Sequence, residues 1–170
     1  MENLLDPLLK SLQRLLGLHR QLLDCVRAEK EAFRDADLKA IQECTYNKEA
    51  LVESIKGAEQ ERLKIMATVA SAIKKPLKDL TLPHLIIETQ AKHAKLADQL
   101  RTSYNALTII IQRISEQNAY NRGLIEQSLA HLDSMKKNVL GEAAPRSGTY
   151  SAQGQKVNGA GSSRLISKEA

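Results

Sequence analysis

Between Ile86 and Val139 the sequence keeps one rhythm. Ile86, Gln90, His93, Ala97 and Leu100 open a series whose gaps alternate four and three. It continues through Tyr104, Leu107, Ile111, Ile114, Asn118, Asn121, Ile125, Ser128, Leu132, Met135 and Val139 without a slip. That alternation turns one seam of a helix toward its neighbours. No proline falls within residues 84–140, and Gly141 follows as the expected C′ residue. The pattern predicts one helix over residues 82–140, which at about 1.5 Å per residue is roughly 80 Å long. The remaining chain is too short to cover a helix of that length.

What precedes it is also helical by pattern. A first helix is predicted over 3–34, with Leu5, Leu8, Leu12, Leu15, His19, Leu22, Val26, Glu29 and Phe33 on its seam. Leu9, Leu16 and Leu23 widen that stripe, and so broad a stripe packs against two partners rather than one. Asp35 is the expected N-cap of a second helix over 36–74, with Asp37 favourable in its first turn. Its seam runs from Ile41 and Cys44 through Lys48, Leu51, Ile55, Ala58, Arg62 and Ile65 to Val69 and Ala72. Pro76 ends it, and Thr81 is placed to cap the third helix with Pro83 in the first turn. So short a link between helices one and two makes them antiparallel neighbours. The expected fold is all-α, an antiparallel three-helix coiled-coil bundle over residues 1–141 with an extended third helix. Residues 142–170, rich in Gly and Ser, read as a flexible, disordered tail.

Chain lengths then set an expectation about exposure. Folding back at Ala36 places Ile86 near the level of Leu5 and Ile114 near Phe33. From about Ser115 onward the third helix should have no intramolecular partner. Its stripe nevertheless stays apolar, and each such side chain is worth about 1.5–3 kcal/mol when buried. A row of them left in water is an association site. Either the helix folds back near residues 121–123, or a second molecule covers it. Asn118 and Asn121 stand where the exposed part should begin. They either set a partner's register, as a buried Asn does in coiled coils, or mark a hinge with Gly123.

Composition and motifs exclude several functions. One Phe, four Tyr and no Trp argue against a β-sandwich or an apolar enzyme pocket. The net charge of +5 is spread thinly and forms no basic stripe with stacking aromatics, so nucleic acid is not an expected partner. No run is apolar enough to insert in a membrane, and the Leu-rich opening is broken by charges at helical spacing, unlike a signal peptide. Those features predict a soluble, cytoplasmic protein. The four histidines show no metal-ligand spacing, no phosphate-cradling glycine loop occurs, and a thin bundle supplies no catalytic pocket. Catalytic, cofactor and metal residues are therefore none, and the chain is not expected to be an enzyme. Cys25 and Cys44 should approach within about one turn across the hairpin. Two buried thiols are the favoured reading over a disulfide. Glu29, Lys48 and Arg62 on the seams read as wet charges at the bundle edge in preference to an interhelical pair that fixes register.

Three stretches and their order resemble the FlgN family of flagellar export chaperones. Ala32-Phe33-Arg34-Asp35-Ala36-Asp37-Leu38 closes the Leu-rich first helix. Asn47-Lys48-Glu49-Ala50-Leu51 is followed by Gln60-Glu61-Arg62. Asn118-Ala119-Tyr120-Asn121-Arg122-Gly123-Leu124-Ile125 leads on to Glu126-Gln127-Ser128-Leu129, and Thr149-Tyr150-Ser151-Ala152-Gln153-Gly154 comes after the helix end. The resemblance implies a chaperone of the flagellar type III secretion system. Such a protein binds the C-terminal helical segments of hook-associated (hook–filament junction) proteins, prevents their early assembly and delivers them to the export gate. Substrate contact is expected at Leu124, Ile125, Leu129, Leu132, Met135 and Val139, with Asn118 and Asn121 setting register. Tyr150 is the expected contact to the export apparatus, at its gate or its ATPase. The competing expectation is a self-assembling coiled-coil adaptor, a homodimer made by the same stripe with no secretion substrate.

Overall fold

The computed structural model describes residues 2–140. Four α-helices, α1 (Glu2–Arg34), α2 (Leu38–Ala72), α3 (Leu82–Gln90) and α4 (Ala94–Leu140), follow one another with a 3₁₀ turn at Leu77–Asp79 between α2 and α3. No strand occurs among the described residues. The Gly141 stop, the expected tail over 142–170 and Tyr150 lie outside them. The chain divides into two units, Met1–Glu126 and Gln127–Ala170.

In the first unit α1 and α2 form the expected antiparallel hairpin, tied across by the Arg14–Glu61 and Glu29–Lys48 ion pairs. The turn between them differs in detail from expectation. Ala36 takes a left-handed φ of 53°, and the Asp37 amide bonds back to the Ala32 carbonyl at 3.1 Å. That geometry satisfies carbonyls at the end of α1. Asp37, not Asp35, caps α2, its Oδ1 accepting from the Lys39 and Ala40 amides at 3.0 Å each. Asp35 still belongs to the closing turn of α1, where its amide bonds to the Glu31 carbonyl. At the third helix Thr81 caps as expected, accepting from the His84 amide, with Pro83 in the first turn.

The helix expected over 82–140 is two helices, broken at residues 91–93. The Thr89 carbonyl accepts from both the Lys92 and His93 amides, at 3.1 and 2.8 Å, which ends α3. Packing supplies the reason. Leu82, Leu85 and Ile86 of α3 and Leu96, Ala97 and Leu100 of α4 belong to one core cluster with Leu5, Leu8, Leu9 and Leu12 of α1. In a straight helix Ile86 and Leu100 would stand about 20 Å apart, twice the length of the α1 patch. Breaking the helix lets both groups close on it.

A second core cluster joins Leu22, Leu23 and Val26 of α1 to Ile110 and Ile114 of α4. The order of the two clusters makes α4 parallel to α1, as expected. The level does not match the expectation. Ile114 packs beside Leu22 and Val26 rather than Phe33, a shift of about two to three turns toward the start of α1. The break absorbs the chain that an unbroken helix would have spent on length.

Candidate functional site

The shift decides which seam residues are covered. Asn121, expected on the exposed part, is 2% exposed and lies inside the first unit. Its Nδ2 donates to the Val26 carbonyl and to Glu29 Oε2, both at 2.9 Å. Its Oδ1 accepts from Gln117 Nε2 at 3.0 Å. Lys48 Nζ meets both Glu29 oxygens at 2.9 Å. One network therefore joins α1, α2 and α4. Glu29, at 7% exposure, is no wet edge charge, so the interhelical pair is the correct reading for Glu29 and Lys48. Arg62 instead pairs along its own helix with Glu59. The hydrogen bonds and charge of Glu59 hold the Arg62 guanidinium above its ordinary value, outweighing the opposing desolvation.

Such a network adds little net stability, because desolvating the charges offsets their attraction. It does fix level. Only one axial position of α4 puts the Asn121 amide against both a backbone carbonyl and the Glu29 carboxylate. Lys30 adds a second tie from α1, its ammonium 5.0 Å from the centre of the Tyr120 ring of α4. Asn118 and Leu124 are half-buried, and Ile125 is 39% exposed at the end of this unit. The polar signal for the network was present in Glu29, Lys48 and Asn121. It went unread because an unbroken third helix puts Asn121 above the hairpin.

The second unit, described over 127–140, is helical throughout, and each side chain from 127 to 139 is exposed. Leu129, Leu132, Met135 and Val139 are 58%, 60%, 49% and 80% exposed. At 3.6 residues per turn these four fall within about a third of the helix circumference. Asp133, Ser134, Lys137 and Asn138 take the other side. The segment gains no burial from its apolar row. Its Leu, Gln, Ala, Lys and Met residues favour helix on their own, and elongation from an existing helix avoids the cost of nucleation. The face has no chemistry to offer beyond apolar contact and helical shape. That suits an amphipathic helix laid along it.

A cleft of about 490 Å³ lies elsewhere in the first unit, walled by Leu12, Leu15, Leu63, Met66, Leu77, Tyr104 and Ile111. Its ionisable lining is occupied: the His19 ring bonds the Leu15 carbonyl at 2.7 Å, and Glu59 holds Arg62. Among the described residues no group of three or more His, Cys, Asp or Glu side chains is placed to hold a metal ion. No described helix is long and apolar enough to cross a membrane.

No curated protein and no solved structure matches this chain. The family comparison gives a different outcome: the family described as FlgN protein matches residues 1–158. That match takes in all four helices and extends past Tyr150, so it includes every stretch on which the resemblance was drawn. The chain, all-α across its described residues and matched over residues 1–158, belongs to the FlgN family.

Proposed function

We propose that this protein is a cytoplasmic chaperone of flagellar type III secretion that binds the C-terminal helical segments of hook-associated proteins. On this reading it keeps those segments from assembling early and delivers them to the export gate. Family membership supports the broad role of flagellar export chaperone. The observation that carries the finer reading is the row Leu129, Leu132, Met135 and Val139, apolar and exposed along one helical face. A partner segment that folds as it docks would bury this row, and the ordering cost of that segment keeps the complex reversible. Ile125, exposed at the end of the first unit, is proposed to add to substrate contact. Asn121 is not, because its amide is already satisfied by Val26, Glu29 and Gln117. Tyr150 is proposed as the contact to the export apparatus.

Light scattering on the protein alone and mixed with a hook-associated protein's C-terminal fragment tests this. A one-to-one complex formed from free monomer is the expected result. A tight dimer indifferent to the fragment would favour the self-assembling coiled coil.

A further inference from the structure

Cys25 of α1 and Cys44 of α2 meet across the hairpin. The Cys25 thiol donates to the carbonyl of Cys44 at 3.3 Å. Both are free and half-buried rather than fully buried as expected. They share a surface hollow of about 440 Å³ with Ala28, Asn47, Ala50, Leu51 and Ser54, large enough to admit a small molecule beside the two cysteines. Desolvation raises both thiols above the ordinary 9.0. Lys48 opposes that rise at each, while Glu29 adds to it. At rest the pair is two neutral thiols in one hollow.

We propose that Cys25 and Cys44 form a redox-modification site that a hydroperoxide closes into an intramolecular disulfide. In the first step the thiolate of one cysteine attacks a peroxide oxygen. The O–O bond breaks, an S–O bond forms, and the departing oxygen leaves as water after taking a proton. The second cysteine then gives up its proton, and its sulfur attacks the sulfenic sulfur. The S–S bond forms, the S–O bond breaks, and a second water leaves. Two thiols lose two electrons, and one hydrogen peroxide is reduced to two waters. Glu29 and Lys48 stand one helical turn from the two cysteines on the same helices, so the bond would clasp α1 to α2 beside the pair that receives Asn121.

Hydrogen peroxide added to the native full-length chain in mildly alkaline buffer tests the proposal by intact mass, peptide mapping and thermal melting. The expected product is monomeric, has lost two hydrogens, yields a Cys25–Cys44 linked peptide and returns to the starting mass with dithiothreitol. Its melting temperature rises by roughly 6–12 °C, as expected when a loop of this length is closed. Cys25→Ser and Cys44→Ser instead take up oxygen on the remaining sulfur. Oxygen uptake on either cysteine of the native chain without linkage, disulfides between chains, or two unreacted thiols after full peroxide exposure would each overturn it.

Discussion

At the residue scale, four positions carry an energetic term that a substitution can expose. Ala36 holds a left-handed φ of 53°, which costs a residue with a Cβ about 1–2 kcal/mol. Ala36→Gly removes that strain but loosens the unfolded chain by a smaller amount, so a net gain of roughly 0.5–1 kcal/mol is expected in urea unfolding. Asn121→Leu takes the amide donor from the Val26 carbonyl and from Glu29 Oε2, leaving that carboxylate to Lys48 alone inside the bundle, and strips Gln117 of its acceptor. A loss of about 2–4 kcal/mol is expected by the same measurement. The thiols give a pH signature. Burial raises Cys25 and Cys44 in the folded state, so folding favours their neutral form. That contribution is whole below the unfolded thiol value of 9.0 and is lost as pH climbs through the higher folded value. Between about pH 8 and about pH 10 the melting temperature should fall further for the reduced native chain than for the Cys25→Ala/Cys44→Ala double variant.

At the element scale, the two parts of the α4 sequence obey the same heptad and meet different fates. Ile114 is buried against Leu22, Leu23 and Val26, joined there by Ile110 in place of the expected seam residue Ile111, which is 46% exposed, while Leu132 and Met135 remain in water. Leu132→Asp should therefore leave the melting temperature within about 2 °C of the native value, since an exposed position contributes little to folding. Binding of a hook-associated C-terminal fragment, read by calorimetry, should weaken at least tenfold, because a charge then enters the proposed docking face. A large fall in stability would place Leu132 in a folded core instead. The periodicity of residues 82–140 made helix legible, yet said nothing of the break at 91–93. No glycine or proline marks that break. It follows from the need of Ile86 and Leu100 to join one core cluster with α1 and with Met66, Val69 and Ala70 of α2.

At the scale of the whole molecule, the burial is unevenly shared. Every described buried residue lies between Leu5 and Asn121, and the division between units falls after Glu126. A chain ending at Glu126 should melt cooperatively within about 3 °C of the full-length protein and should fail to bind the hook-associated fragment. Retained binding would move the docking site into the first unit. The candidate site was thus only partly readable beforehand. Leu132, Met135 and Val139 follow from the seam and Leu129 from the family resemblance, and all four stand exposed, whereas Asn121, expected beside them, is buried.

Local pattern by itself determined that this chain is helical, that α1 and α2 turn back on each other near Ala36, and which side of each helix is apolar. These follow from periodicity, capping residues and loop length, all of which act over a few residues. Tertiary structure alone decided where α3 ends, at which level α4 lies against α1, and hence that Asn121 is covered by Glu29 while Leu129 is not. Those outcomes depend on two apolar groups, one on α3 and one on α4, closing into one cluster with α1 and α2. Seam spacing carries no information about axial level, because a heptad repeat fits its neighbour equally well one repeat higher or lower. The buried contacts among Asn121, Glu29 and Lys48 select one level from that ladder.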